Sequence, residues 1–511
     1  MSQRAVSSPD RDDQIARLQG QIDARDRVIE MLRTQLARLR RMTFGTSSEK
    51  LAREIEQLEL ALEEYEAEAA VADVSGPDTA KFERPSPIRS LPPHLPRDEI
   101  VHEPVTGSCA CPSCGGALRR LGVDADEMLD VVPVSWRVVR NVRPKYSCRA
   151  CEKIVQAPAP PKPVARGKAT FGTLAHIAVA KFDHHLPLYR QAEMMAAQGV
   201  EIDRSTLAGW IGQAAHLLDP IVQRIREEGL EASKLHADDT PVKVLAPGSG
   251  KTATARLWAY VVDDRASGGA NPPLAWYRFT ANRAGIHPRR ELAKFTGFLQ
   301  ADAYSGFNGL YTDGRISEVA CWAHFRREIF ERHKQQPTAL TTDLLNRIGE
   351  LYAIEAKIRG QPAEIRRSIR QERSRPLVTA LRAALDDALR KLSPKSPMTK
   401  AIRYGTKRWK AFTRFLGDGQ LEMDNNIAER AIRPVAVGRK NWLFAGSEAG
   451  GQRAAAIYSV IETAKMNGLE PQAYIADVIA RIAADWPASR WSELMPWNWR
   501  PLVEEPIAEA A

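Results

Sequence analysis

No apolar run in this sequence approaches the roughly 20 residues needed to cross a bilayer. The opening residues, MSQRAVSSPDRDDQ, hold no apolar segment of the secretory kind. Together these absences lead us to expect a soluble protein of a reducing, cytoplasmic compartment, with no membrane partner. Cysteine is scarce: there are six in 511 residues, and five of them fall between 109 and 151. Clustered pairs in such a compartment suggest a metal centre before a disulfide framework. No internal repeat or low-complexity tract is present. Acidic residues fall short of basic ones, 63 against 73, for a net charge of +10. That surplus fits a polyanionic partner without identifying one. The hydrophobic share, 44%, and the length allow several domains with at least one large core.

Apolar residues at Ile15, Leu18, Ile22, Ile29, Leu32, Leu36 and Leu39 alternate spacings of three and four, a heptad seam broken once at Arg25. A Gly–Thr–Ser–Ser turn interrupts it, and a second run follows at Leu51, Ile55, Leu58, Leu62 and Tyr65. Residues 1–70 are therefore expected to form a coiled coil that joins copies of the chain into a homodimer or higher oligomer; the alternative is a helical hairpin closed on its own chain. Prolines at 77, 85, 87, 92, 93 and 96 mark 71–100 as a linker.

Within 101–157, CPSCGG and CRAC place Cys111, Cys114, Cys148 and Cys151 on two tight turns. Two facing C-x-x-C turns supply the tetrahedral thiolate shell of one structural zinc ion, with no open coordination position. Unmetallated or redox-active thiols are the competing reading, and Cys109 is spare. VVPVSWRVVRNVRPKYSC between the knuckles is expected to form a β-hairpin, whose Arg137, Arg140, Arg143 and Lys145 either meet phosphates or face solvent. A helical region, 158–230, contains a helix–turn–helix pattern over 185–215 broken at Gly199. Arg204, Ser205 and Thr206 open its second helix, the end that enters a DNA groove in such motifs; an ordinary helical hairpin reads the same way.

From 233 the pattern turns to strands, SKLHAD, RLWAYVVDD and LAWYRFT, then a helix near 285–296, then the strands GFLQAD and ISEVACW. This order predicts a mixed sheet with flanking helices. Residues 323–416 read as helical, and 420–470 as loop, helix, short strand (WLFAG) and helix. Asp238 and Asp302 end two of the strands, and Glu429 follows Asp424 at the start of a helix. Successive strand residues face opposite ways, so only one of Asp238 and Asp239 can share a site with the others. Three converging carboxylates suit two Mg2+ or Mn2+ ions, hard cations that take oxygen ligands and support in-line displacement at phosphorus. Asn425 is placed to orient Glu429, and Arg430 and Arg433 to hold a phosphate. Arg439 and Lys440, with Asn441 and Trp442, and Trp409 in RYGTKRWKAF are further DNA-contact candidates. Trp322 and His324 are expected to be a core side chain and a helix cap, the alternative being a DNA contact near the metals, and Cys321 a buried small hydrophobe.

Taken together, LRRMTFGTSSEKL, the two knuckles, LPLYRQ, HADDTPVKVL, LQADAYSGF, CWAHFRR, MDNNIAERAIRPVAVGRKNWLFAGSEAGG, IETAKMNGLEPQAYIADVI and LMPWNW resemble the transposases of the insertion-sequence-66 group over nearly the whole length. The resemblance implies a multidomain α+β protein. Its parts would be an N-terminal coiled coil, a four-cysteine zinc-binding β module, a helical DNA-binding region, and a ribonuclease-H-like α/β core over 231–470 with a helical insertion at about 337–416. A C-terminal region, 471–511, follows. It also implies an Asp-Asp-Glu triad, carried here by Asp238, Asp302 and Glu429, and small accessory proteins of the same element. The chain departs from the group's usual Asp-Glu-Thr at Asp239, and from its usual Arg at Thr46. The expected function is DNA transposition: binding of terminal inverted repeats, metal-dependent cleavage, and transfer of the freed 3′ ends to target DNA. The alternatives are an inactive DNA-binding regulator and a structure-specific nuclease on the same core.

Overall fold

The computed structural model describes residues 135–147, 154–163, 167–246, 251–442 and 445–501. Of these, 141–501 belong to one compact unit and 135–140 to another. The coiled coil, the Pro-rich linker, Cys109 and all four candidate zinc ligands lie outside the described residues.

The protein is an α+β structure, mostly helical, built on one mixed sheet. Two short antiparallel strands, β1 (Lys145–Ser147) and β2 (Ile154–Gln156), come first. They correct the expected hairpin: residues 135–144 carry no strand, and the pair instead flanks the segment containing the second knuckle. A side-chain amide helps close it, with Gln156 donating to the Arg143 carbonyl at 2.9 Å.

Three helices follow: α1 (Phe171–Phe182), α2 (Leu188–Ala197) and α3 (Arg204–Glu231). The Thr170 hydroxyl caps α1 by accepting from the Thr173 N–H at 3.2 Å. Gly199, at φ +78°, makes the left-handed turn that separates α2 from α3. Leu207, Ile211, Ala214, Leu218, Ile221 and Ile225 bury one stripe of α3, which holds it against the rest.

The sheet is formed by β3 (Lys234–Ala246), β4 (Lys251–Val262), β5 (Leu274–Thr280), β6 (Gly297–Ala301) and β7 (Ile316–Ala320), in the order β5-β4-β3-β6-β7. The pairs β5–β4 and β4–β3 are antiparallel, whereas β3–β6 and β6–β7 are parallel. A short helix, α4 (Ile286–Glu291), precedes β6. The strands carry Trp, Tyr, Val and Leu on buried positions, as a sheet covered on both faces requires.

After β7 the chain is helical: α5 (Trp322–Gln335), α6 (Ala339–Ile358), α7 (Ala363–Ile369), α8 (Arg375–Lys391), α9 (Pro397–Thr406) and α10 (Trp409–Thr413). Their common core gathers Trp322, Phe325, Ile348, Leu381, Ile402 and Phe412. Two fully buried arginines tie it to the loop that follows. Arg370 bonds Glu355 in bidentate fashion, at 2.8 and 2.6 Å, and the Phe415 and Asp418 carbonyls at 3.0 and 3.1 Å. Arg366 reaches the Gly419 carbonyl at 2.9 Å and the Glu422 carboxylate at 2.9 Å. Buried guanidinium groups are tolerated because each has such partners.

The chain closes with α11 (Asn426–Trp442), α12 (Glu448–Met466) and α13 (Pro471–Ala483). WLFAG does not form the expected strand among the described residues. Ala445 alone makes a bridge to Val244, donating to the Lys243 carbonyl at 2.8 Å and accepting from Leu245 at 3.0 Å. The helix α12 lies along the edge strand β5 and supplies the partners a neighbouring strand would have given: Thr463 and Ser459 hydroxyls accept from the Ala275 and Tyr277 N–H groups at 3.1 and 2.9 Å.

Gly419 sits where α7 crosses the loop, and a Cβ there would collide with the Ala363 backbone carbonyl. Since the obstacle is main chain, Gly419→Ala is expected to cost roughly 1–3 kcal/mol of stability, measured as a lower denaturant midpoint.

Candidate active site

On β3, positions 236, 238 and 240 share one face, and that face runs along α11. The His236 ring meets the Asn425 side chain at 3.1 Å, and the Thr240 hydroxyl accepts from Arg439 at 2.6 Å. Asp238 lies between them, facing the first turns of the helix. Its carboxyl is pushed up to about 8, first by burial and then by the charges of Asp302 and Glu429. The three carboxylates singled out in the sequence thus act on one another's charge: Asp302 just past the end of β6, Glu429 in the first turn of α11, and Asp238, which does not end its strand as expected but lies within β3 because the strand runs on to Ala246.

Two side-chain amides set this convergence. Asn425, fully buried, donates to the Ala237 carbonyl at 2.9 Å and accepts from His236. Because the amide nitrogen is spent on a carbonyl, its oxygen faces the ring, so His236 Nδ1 carries the proton. Burial, followed by nearby Lys234, lowers His236 to about 3, so the ring is neutral. Gln300 on β6, also fully buried, donates to the Glu422 and Asp424 carbonyls at 2.6 and 2.9 Å. The Trp322 N–H reaches the Met423 carbonyl at 3.1 Å, and the Asn425 N–H donates to the Cys321 sulfur at 3.2 Å. The loop before α11 is therefore pinned to β3, to β6 and to the residues just after β7. The Asn425 carbonyl also accepts from the Glu429 N–H at 3.2 Å, which ties the first turn of α11 to this anchorage.

Asp239 faces the other way, as strand alternation requires. Arg283 grips it with two nitrogens at 2.7–3.1 Å, and Arg256 adds a contact at 3.1 Å. Asp424 makes a turn at the start of α11, accepting from the Asn426 N–H at 3.0 Å and its side-chain amide at 2.7 Å. Burial, then repulsion from Glu422 and Glu429, raises Asp424 to about 6.

Trp322 is a core side chain, donating from its indole to the Phe412 carbonyl at 2.8 Å. His324 is no helix cap: its Nδ1 lies 3.8 Å from a Glu429 oxygen. Burial, then Arg327, lowers its pKa. Cys321, His324 and Glu429 offer ligand atoms within 4.8 Å of one another. Burial pushes the Cys321 thiol far up, so it stays protonated and serves the loop.

The DNA-contact candidates divide. Arg204, Ser205 and Thr206 are exposed at the start of α3, and Arg430, Arg433 and Lys440 are exposed on α11. Arg439 is turned inward onto Thr240 and the Pro241 carbonyl. Trp409 packs edge-on against Trp322, at 5.9 Å, with the Arg382 guanidinium 5.4 Å from its ring. Arg283, Gln300 and His236 were not singled out in the sequence. Gln300 stands two residues before Asp302 and shows no local pattern; Arg283 lies in a loop with nothing to distinguish it from a surface cation.

The donor set of Asp238, Asp302 and Glu429 is all oxygen and carries mutually repelling charge. That chemistry fits a hard divalent cation, which removes the repulsion a bare site would suffer.

Four family models match the chain. "Transposase IS66 family" matches 166–453, "IS66 C-terminal element" 459–497, "zinc-finger binding domain of transposase IS66" 108–152, and "Transposase C of IS166 homeodomain" 31–100. The chain is also similar to proteins of Sinorhizobium fredii. The uncharacterized protein y4qI is 39% identical over 505 residues, covering 96% of this chain and 92% of the relative. The uncharacterized protein y4jD is 37% identical over 494 residues, covering 94% and 96%. The chain belongs to the IS66 transposase family: a DNA-binding, DNA-cleaving protein of an insertion sequence, with a zinc-finger domain. Among the described residues no helix is long and apolar enough to cross a membrane.

An exposed aspartate titrates near ~3.9. Between that value and about 8, the folded chain keeps on Asp238 a proton that the unfolded chain has lost. Stability in the presence of a chelator should therefore fall as pH rises from about 5 to about 8, and Asp238→Asn should flatten that slope in thermal melts. Asn425→Ala strands the His236 N–H and the Ala237 carbonyl, and should cost roughly 1–3 kcal/mol in denaturant titrations.

Proposed function

We propose that this family member binds the terminal inverted repeats of its element and cuts and joins DNA strands with Asp238, Asp302 and Glu429 as catalytic carboxylates. The observation that carries this reading is the placement of the three elements: β3 pairs with β6, and Asn425 and Gln300 fasten the loop before α11 to those two strands, so that Asp302 and Glu429 add to burial in raising the Asp238 carboxyl. A buried strand position crowded with acids is a poor structural choice and a good cation site. The sheet order β5-β4-β3-β6-β7, with β4 antiparallel, supports a ribonuclease-H-like core for 231–470. Two divalent cations, Mg2+ or Mn2+, held by the three carboxylates would supply Lewis-acid activation of water or a 3′-hydroxyl and stabilisation of the leaving oxygen.

The chain's own groups do the rest. The Asn425 and Gln300 clamps keep Glu429 opposite the two aspartates, which fixes the geometry before substrate arrives. Exposed Arg430, Arg433 and Lys440 on α11 offer cations for backbone phosphates beside the carboxylates. Arg204, Ser205 and Thr206 present the start of α3 to a DNA groove. A groove of about 640 Å3 lined by Arg375, Arg382, Trp409, Lys410 and Arg414 suits a third stretch of backbone. Outside the described residues, Cys111, Cys114, Cys148 and Cys151 are our zinc ligands, and the coiled coil our dimerisation element. Accessory proteins of the same element complete the proposed partners.

Asp238→Asn, Asp302→Asn and Glu429→Gln should each lower Mg2+-dependent cleavage of a duplex carrying the element's end by roughly a thousandfold or more, with DNA binding retained in gel-shift assays. Full cleavage by all three variants would sink the assignment. A joining assay with target DNA separates a transposase from a plain nuclease.

A further inference from the structure

Arg283 is held more firmly than its place in a loop suggests. Two of its nitrogens bond both oxygens of Asp239, whose side chain is 1% exposed. Its guanidinium stacks 3.9 Å from the Tyr304 ring centre. The Tyr304 hydroxyl returns to the Arg283 backbone carbonyl, and the Tyr304 N–H donates to one oxygen of Asp302 at 3.1 Å. The other oxygen of Asp302 faces Arg283 at 3.6 Å. A closed circuit thus runs from Asp302 through Tyr304 and Arg283 to Asp239. Arg256 and Arg283 both contact Asp239, so one of the two positive charges exceeds what Asp239 needs, and it lies beside Asp302, whose carboxylate it balances.

We propose that Arg283 is a positioning residue, an internal counter-cation that holds Asp302 in place while no metal is bound and competes with the metal for that carboxylate. This deepens the proposed function and rests on its metal site. The bidentate bond to Asp239 and the Tyr304 platform keep the guanidinium from following Asp302 away, so a divalent cation binds against a fixed positive charge. The site is then neither collapsed when empty nor too tight when filled.

The test is Mn2+ binding to the full-length protein, read by paramagnetic resonance of free Mn2+, with thermal melts in chelator. Removing a unit charge a few ångströms from a divalent ion should tighten binding by about tenfold, so Arg283→Gln is expected to lower the Mn2+ dissociation constant by that factor and to lower the melting temperature in chelator more than in Mn2+. Arg283→Lys leaves Asp239 a partner but replaces the planar fork with a flexible ammonium, and should tighten binding by about two- to threefold. It also serves if the glutamine variant does not fold. Mn2+ affinity equal to or weaker than that of the parent in either folded variant overturns the proposal. Asp238→Asn in the same titration separates the two claims: if it binds Mn2+ as the parent does, the metal site itself is misassigned and both fall. If it loses binding while Arg283→Gln gains nothing, only the role of Arg283 falls.

Discussion

The arrangement of the site depends on the buried amide clamp between the sheet and the loop before α11. Asn425 bonds the backbone of β3 with its nitrogen and a neutral histidine of the same strand with its oxygen. With Gln300, which holds the Glu422 and Asp424 carbonyls, that link sets where the helix bearing Glu429 begins relative to the sheet. An amide suits the task because it donates and accepts at once and carries no charge to repel or attract the carboxylates beside it. A charged His236 would keep this bond, but burial holds the ring neutral; a charged ring would add a cation on the strand face that carries Asp238.

The same loop joins two parts of the structure. Glu422 gives its carbonyl to Gln300 on the sheet and its carboxylate to Arg366 in the helical insertion. Arg370 and Arg366 also hold the carbonyls of Phe415, Asp418 and Gly419. The helices after β7 are therefore fastened at the segment that leads into α11, and a shift of α7 against the loop would be felt at Glu429. Packed interiors transmit displacement of this kind because they have no slack to absorb it.

Much of this was legible in the sequence. The strand pattern around Asp238 and Asp302 marks the two aspartates, since alternation and apolar flanks are local properties. Glu429 was legible through its motif. What escaped was tertiary: Gln300 and His236 act on chain more than 100 residues away, and no periodicity encodes such a contact. WLFAG has strand composition, yet among its described residues the strand pairing is a single bridge, Ala445 to Val244. The short strands after Arg143 flank the second knuckle, where residue spacing alone suggested a hairpin between the knuckles. Arg439 read as a surface cation beside other basic residues, and the structure spends it on Thr240. Composition identifies a basic helix end but not which of its charges turn inward.

The sealing of β5 by α12 bears on how the chain is made. Ser459 and Thr463, whose hydroxyls occupy the strand's backbone donors, come well over a hundred residues after it. During synthesis the strand leaves the ribosome long before its cover, and an uncovered strand edge recruits other strands. Both hydroxyls fall at the start of the segment matched as the family's C-terminal element. A copy of the gene cut short before that element would therefore yield a sheet with an open flank, prone to self-association whether or not its carboxylates were intact.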